Sequence, residues 1–209
     1  FPLVGGLQFQ GTAQFVLPKI LVEQDEKGAL VSFFVKDEQS ANDTLAHLKT
    51  FENITALSAL PKQIPLHTEP RANERTWCDW VNQALVEIKS GELTKIVLAN
   101  ETTFHLKQAI NAYDFLAESE KQNQGCYHFL WAENPYSVFV GSTPERLFAR
   151  EYNLLLTEAL AGTASVSESE EETQSQANWL LNDEKNLKEN WLVVEDISQN
   201  LRNQVESFD

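Results

Sequence analysis

Short apolar runs recur along the chain, and their pattern predicts β-strands. In the first 36 residues, runs at 14–22 and 29–35 flank the polar stretch Asp25-Glu26-Lys27-Gly28. A turn sequence between two such runs is typical of antiparallel strands joined by a hairpin. The remaining strands are predicted from apolar runs at 95–104, 126–132, 137–140 and 154–160.

A longer period of apolar residues predicts the helices. Apolar residues at i, i+3 and i+4 spacing predict one helix that carries Trp77, Trp80, Val81, Ala84, Leu85 and Ile88. Ser90-Gly91 follows directly and is a typical helix end. We interpret the two tryptophans as part of a buried helix face rather than as a stacking site for a ligand. Further helices are predicted at 42–52, 109–122 and 178–204.

Two segments lack either period. Residues 58–74 contain Pro61, Pro65 and Pro70, which predicts a long surface connector inside a single domain. Residues 165–176 are acidic and low in complexity, which predicts a mobile, solvated loop. Because strands are interrupted by helices without strict alternation, the order of elements predicts an α+β fold with a large antiparallel sheet.

Composition narrows the function further. The net charge of −15 argues against nucleic acid and against anionic membranes as partners. No apolar run approaches the length of a membrane span, and Cys78 and Cys126 show no metal-binding spacing, so a reducing cytoplasm is expected. Since the chain contains no methionine and starts at Phe1, we expect it to be an interior piece of a longer product.

Chemistry is concentrated between Phe139 and Thr163. The apolar run that starts at Phe139 breaks at Pro144, which places Glu145 in a turn just past the strand end. The next run ends at Ala161-Gly162-Thr163, where glycine lets backbone N–H groups approach a ligand closely.

Four motifs in this order resemble the chorismate-binding enzymes. They are T-K-I-V-L-A at 94–99, G-S-T-P-E-R-L-F at 141–148, A-L-A-G-T at 159–163 and the stretch 183–197. Within that family, T-E-A-L-A-G-T, C-Y-H-F and K-E-N-W-L-V-V-E-D-I are most similar to isochorismate synthases of the menaquinone pathway. The resemblance implies one large domain in which two halves build a central antiparallel sheet with helices outside. Residues 1–209 would then be a partial domain that lacks its C-terminal half.

The resemblance also implies two proton-transfer residues. Lys95 would be the base that activates water, which requires surroundings that favour a neutral amine. Glu145 would be the general acid for the leaving hydroxyl, which requires surroundings that keep a carboxyl group protonated. From the residues alone, a solvated lysine at a strand entrance is the favoured interpretation of Lys95, and Glu145 is equally a surface partner of Arg146.

Ligand binding is implied at three more positions. Glu189 would be a ligand of Mg²⁺, with Asn186 on the same helix face, and Mg²⁺ prefers such oxygen ligands. Gly162 and Thr163 would bind a carboxylate of the substrate, chorismate. Without the resemblance, Glu189 is an ordinary helix carboxylate and Gly162-Thr163 a plain turn.

The resemblance favours a Mg²⁺-dependent isochorismate synthase, and two alternatives stay open. One is a salicylate synthase, which would also eliminate pyruvate, and the other is a non-catalytic chorismate-binding fragment. Ala161 occupies the position of the nucleophilic lysine of aminodeoxychorismate synthases, which disfavours that activity. Lys95 disfavours ammonia as nucleophile.

Asn100 stands where the family usually has arginine, a change expected to affect a local salt bridge. His128 is interpreted as a packed, hydrogen-bonded histidine.

Overall fold

The computed structural model describes residues 3–8, 10–49 and 56–207. The chain divides after Leu57 into two compact units. All five predicted site residues belong to the second unit. The expectation of a single domain with a missing second half stays a prediction.

The first unit contains two antiparallel strand pairs and one helix within its described residues. β1 (Val4–Leu7) pairs with β2 (Ala13–Val16), β3 (Ile20–Asp25) pairs with β4 (Gly28–Phe33), and α1 follows at Glu38–Leu48. The predicted strand 14–22 is therefore two strands. Pro18 lies between them, and proline has no N–H to continue a ladder of hydrogen bonds.

Local hydrogen bonds explain the hairpin and the helix start in this unit. The Asp25 carboxylate accepts hydrogen bonds from the N–H groups of Lys27 at 2.7 Å and Gly28 at 3.0 Å, which closes the predicted turn. Asp37 caps α1 by accepting bonds from the hydroxyl and the N–H of Ser40, and these bonds lower the pKa of Asp37. The helix thus begins earlier than predicted, and residues 50–52 of the prediction lie outside the described residues.

The described residues of the second unit form three antiparallel strand pairs and four helices. The pairs are β5 (His67–Pro70) with β6 (Thr102–His105), β7 (Tyr127–Asn134) with β8 (Ser137–Thr143), and β9 (Ala149–Glu151) with β10 (Leu154–Leu156). The helices are α2 (Glu74–Ser90), α3 (Ala112–Gln122), α4 (Glu170–Leu180) and α5 (Glu184–Leu201). The α+β class is confirmed, with its sheet present as separate two-stranded antiparallel pairs. None of the described helices has the length and apolar character needed to cross a membrane.

Helix α2 matches its prediction. Asn73 caps its start, and Gly91 ends it with a φ of 83°, donating its N–H to the carbonyls of Glu87 and Ile88. Trp77 and Trp80 pack edge to face, with ring centroids 6.2 Å apart, and both are half-buried. The tryptophan pair therefore lies on a packed helix face that is only partly covered.

The strand prediction for 95–104 is wrong over most of its length. Only β6, at Thr102–His105, is a strand, and it pairs with β5 inside the segment predicted as a connector. Residues 95–100 have no strand partner among the described residues and form no regular element. The cause is the absence of a neighbouring backbone, since an apolar run becomes a strand only where another strand supplies hydrogen bonds.

The acidic segment 165–176 is also different from its prediction, because α4 begins within it. Ser169 is the N-cap, and its hydroxyl accepts a hydrogen bond from the N–H of Glu172 at 3.4 Å. Ser169-Glu170-Glu171-Glu172 has the spacing of a capping box, and acidic residues in the first turn complement the helix dipole. The single helix predicted at 178–204 is in turn two helices, because Asp183 caps a new one, α5.

Candidate active site

Lys95 and Glu189 form an ion pair. Lys95 lies in the irregular segment before β6, and Glu189 lies in the second turn of α5. The Lys95 Nζ and Glu189 Oε1 atoms are 3.3 Å apart, and the two side chains are 30% and 34% exposed. The structure thus brings together the predicted base and the predicted metal ligand, which lie 94 positions apart in the sequence.

The start of α5 is fixed by its own first turn. The Asp183 carboxylate accepts hydrogen bonds from the N–H of Asn186 at 3.0 Å and from its side-chain amide at 2.8 Å. These bonds satisfy one of the free N–H groups of the helix start and hold the Asn186 side chain in one orientation. Glu189 follows one turn later on this ordered helix.

Gly162 lies against the same turn of α5. Its φ of +84° is in the left-handed region, which side chains other than glycine rarely adopt. A β-carbon at this position would be 3.1 Å from Asn186 Oδ1 and 3.2 Å from Leu180 Cδ1. The backbone conformation therefore favours glycine here, and a β-carbon would require Asn186 and Leu180 to shift by a few tenths of an ångström. Gly162 and Thr163 are both exposed, so a ligand can reach them.

Glu145 is placed differently. It follows β8 and Pro144, and its N–H donates a hydrogen bond to Thr143 Oγ1 at 3.3 Å. The side chain is exposed, and within the described residues it forms no ion pair. No hydrogen bond or ion pair connects it to Lys95 or Glu189 in that part of the chain. The alternative in which Glu145 pairs with Arg146 is thus not observed.

Arg146 has other partners. Its Nε and Nη2 atoms donate to the Tyr127 hydroxyl at 2.8 and 2.6 Å, and its Nη1 lies 3.6 Å from Glu158 Oε1. The bonds to Tyr127 raise the pKa of Arg146, with a smaller contribution from Glu158. Thr157 also donates its hydroxyl to the Leu147 carbonyl at 2.8 Å. These contacts join the G-S-T-P-E-R-L-F and T-E-A-L-A-G-T motifs, a link that the sequence did not reveal.

His128 forms a hydrogen-bond chain behind β8. Its Nδ1 atom is 2.7 Å from Ser142 Oγ, which is 2.8 Å from Ser119 Oγ on α3. The ring is half-buried. The interpretation of His128 as a hydrogen-bonded packing residue is confirmed.

Asn100 forms two amide hydrogen bonds with the backbone of Ala72. Its side chain donates to the Ala72 carbonyl and accepts from the Ala72 N–H, both at 3.0 Å. Ala72 is buried, at 4% exposure. Asn100 therefore extends the β5–β6 pairing to the start of α2. Neither of its two hydrogen bonds with Ala72 involves a charged group.

The Glu189 carboxylate is a suitable ligand for Mg²⁺, but it would form only one part of a Mg²⁺ site. Carboxylate oxygen is a preferred Mg²⁺ ligand, and water and substrate oxygens commonly complete the octahedron. Among the described residues, no group of three or more His, Cys, Asp or Glu side chains is arranged to hold a metal. Glu189 would thus supply one ligand, and the Lys95 ammonium is its present partner.

A shallow groove of about 390 Å³ lies beside Lys95 along α5. Its lining includes Glu195 and Asp196. These carboxylates would repel the carboxylates of a dianionic molecule, and the Lys95 cation in the same lining offsets only part of their charge. The exposed Gly162 segment is the better candidate for carboxylate binding.

Comparison with known families agrees with the motifs and the contacts between them. The chain matches the family profile described as "Chorismate binding enzyme" over residues 7–209. It belongs to this family of chorismate-binding enzymes.

Two curated relatives are named isochorismate synthase MenF. The chain is 96% identical over 209 residues to the one from Haemophilus influenzae and 49% identical over 203 residues to the one from Pasteurella multocida. The matches include 100% and 96% of this chain, respectively. They include only 49% and 47% of the length of the two relatives. The chain therefore spans about half the length of the curated relatives it matches.

A solved structure agrees in fold. It is titled as the structure and mechanism of MenF, the menaquinone-specific isochorismate synthase from Escherichia coli. The TM-score is 0.86 at 32% sequence identity, and the match covers 95% of this chain and 47% of the other.

Proposed function

We propose that the full-length protein is a Mg²⁺-dependent isochorismate synthase that isomerises chorismate. The observation that carries the proposal is that α5, itself one of the family motifs, contacts two others through the Lys95–Glu189 pair and the packing of Asn186 against Gly162. The 96% identity to a relative named isochorismate synthase supports the same activity. A small anionic substrate and a cytoplasmic location remain part of the proposal.

The reaction needs two proton transfers on either side of a bound ring. In the proposed mechanism, Lys95 takes a proton from water as the water attacks C2 of chorismate. Glu145 gives a proton to the departing C4 hydroxyl, and the ring double bonds shift between the two carbons. Most of the rate acceleration is expected to come from holding both groups in the correct position at the ring and from the proton transfers that they perform.

Binding is assigned to the residues around α5. Gly162 and Thr163 would donate backbone N–H groups and a hydroxyl to one carboxylate of chorismate. Glu189 would hold Mg²⁺, which supplies charge stabilisation at the ring carboxylate when it is bound. Because one carboxylate is a small share of a Mg²⁺ site, further ligands are expected from water, substrate and residues beyond this set.

Exposed apolar faces support a site that is completed by more protein. Val97, Phe139 and Leu154 are 78%, 68% and 67% exposed, and Ala72 and Ala84 are the buried apolar residues of the described part. Large apolar side chains with such high exposure are typical of faces that another protein segment covers. We therefore expect residues 1–209 alone to be poorly soluble or inactive, and robust turnover by this piece would contradict that expectation.

Product analysis tests the function. The full-length protein, incubated with chorismate and Mg²⁺, should yield isochorismate as the product detected by chromatography. Salicylate together with pyruvate would identify a salicylate synthase instead. Chorismate binding without turnover, measured by calorimetry in the same preparation, would identify a non-catalytic binding protein.

A further inference from the structure

Residues 186–190 of α5 contact two other family motifs, at 94–99 and at 159–163. Asn186 lies against Gly162, Glu189 pairs with Lys95, and the next residue, Asn190, reaches the segment before Gly162. The first two contacts involve residues that the motifs already single out. Asn190 has no role in the proposed reaction, although it lies within the K-E-N-W-L-V-V-E-D-I motif.

Asn190 forms a hydrogen bond across 31 positions of sequence. Its side-chain amide donates to the Ala159 carbonyl at 2.9 Å, and the bond is partly buried. Ala159 precedes Gly162 by three residues in a stretch without regular secondary structure. Within the described residues, the next hydrogen bond along the chain is made by Ser167, so Asn190 is the nearest tether to the Gly162 turn.

The alternatives for holding this stretch are weaker. Thr157 and Glu158 fasten its beginning to the Glu145 side of the molecule, through Leu147 and Arg146. Asn186 limits the space beside Gly162 but makes no hydrogen bond to it in the described part. The position of the Gly162 turn relative to α5 therefore depends most directly on the Asn190 bond.

We propose that Asn190 is a positioning residue that holds segment 159–163 against α5. In this role it keeps the N–H groups of Gly162 and Thr163 at a fixed distance from Glu189. The inference rests on the proposed function in so far as those N–H groups bind a substrate carboxylate. Asn190 itself contacts neither substrate nor metal, so its loss weakens chorismate binding and leaves the proton transfers in place.

The test uses Asn190→Ala in the full-length protein, with Asn200→Ala as the matched control. Asn200 also donates its side-chain amide to a carbonyl at 2.9 Å, but its partner, Asp196, lies in the same helix. Both substitutions remove one amide–carbonyl bond and gain the same helix propensity, so a change in helix stability affects them equally. Asn190→Gln, which keeps an amide donor, is the conservative variant.

Two readouts are measured. The first is hydrogen exchange of the backbone amides of residues 160–164 without substrate, which does not depend on any activity. We expect faster exchange in Asn190→Ala and unchanged exchange in Asn200→Ala. The second is steady-state kinetics with chorismate, where KM should rise about 5- to 10-fold in Asn190→Ala with kcat within about twofold. Asn190→Gln should recover most of the lost affinity.

The outcomes separate the two proposals. Equal exchange in Asn190→Ala and Asn200→Ala would overturn the positioning role, whatever the enzyme does with chorismate. Faster exchange with an unchanged KM would overturn the claim that this positioning serves chorismate binding, and so would an Asn190→Gln variant whose KM is no lower than that of Asn190→Ala. If the unmodified protein does not turn over chorismate at all, the proposed function fails, and the exchange measurement still decides whether Asn190 holds the segment.

Discussion

The two sides of the candidate site differ in how completely this chain organises them. On the α5 side, Lys95, Glu189 and Gly162 are joined by an ion pair and close packing to a single capped helix. On the other side, Glu145 is placed by Pro144 and by one N–H bond to Thr143, and its carboxylate is exposed.

This difference indicates which parts of the site the chain can form by itself. A cation, a metal ligand and a glycine turn need only defined geometry, which α5 supplies. A general acid also needs surroundings that keep its proton in place until transfer. Because Glu145 is exposed, we infer that the substrate or further protein creates those surroundings. The contacts on the α5 side are thus formed within this chain, whereas the surroundings that proton transfer requires at both Lys95 and Glu145 must come from substrate, metal or further protein.

The largest expected effects come from removing one group on each side. Lys95→Ala and Glu145→Gln should each lower kcat about 10²- to 10⁴-fold, because general acid–base groups contribute that much. Both should slow the reaction in either direction, since the roles exchange when isochorismate is the substrate. Rates measured from chorismate and from isochorismate, with Lys188→Ala and Glu151→Gln as surface controls, test this.

The same variants can contradict the roles assigned to Lys95 and Glu145. A nearly normal kcat in Lys95→Ala with only KM raised would make Lys95 a substrate-binding cation, and the water would need another base. The double variant should lose less than the product of the two single losses if both groups act in one transition state. Fully multiplicative losses would mean that the two sides work in separate steps.

The next largest effect concerns Glu189. Glu189→Gln should weaken the apparent affinity for Mg²⁺ by at least about 10- to 100-fold, since changes to residues behind a ligand already cost that much. A Mg²⁺ titration of activity, together with calorimetry of Mg²⁺ binding, measures the shift. Glu195→Gln removes the same charge from the same helix and should leave both curves in place. A Glu189→Gln curve that overlies the wild-type curve would remove Glu189 from the metal site.

A smaller effect is expected at the turn that faces α5. Gly162→Ala should lower the free energy of unfolding by about 1–2 kcal/mol, because an L-residue in the left-handed region is strained by that amount. Crowding against Asn186 adds to the cost. Urea denaturation measures the loss, and Gly125→Ala, at a positive φ with open space around it, isolates the conformational part. Equal losses in the two variants would show that contact with α5 contributes nothing.

The smallest effect should come from the link between the two motifs. Glu158→Gln removes the charge that faces Arg146 at 3.6 Å, and exposed ion pairs of this kind contribute little. We expect kcat/KM to change by less than about twofold, because the two bonds from Arg146 to Tyr127 remain. Kinetics at low and at high salt provide the measurement. A loss larger than about tenfold would instead mean that Glu158 acts on the substrate or on Glu145.

Local patterns predicted the elements that depend on near neighbours. The period of α2, its end at Gly91 and the turn at Asp25 follow from residues within a few positions of one another, so the sequence was sufficient for them. Helix α4 was missed although its capping box is equally local, because the acidic composition suggested a solvated loop. The strand predicted at 95–104 was wrong because a strand needs a partner that its own sequence does not specify.

For the site, the sequence alone proposed which residues carry chemistry, and the tertiary structure decided which of them meet. The motifs single out Lys95, Glu145, Gly162, Thr163 and Glu189 by residue type and order, and their roles remain proposals. Only the fold pairs Lys95 with Glu189, turns Arg146 away from Glu145 and brings Asn190 to Ala159. These contacts join residues that are separated in the sequence, and they depend on how distant segments pack rather than on any local preference.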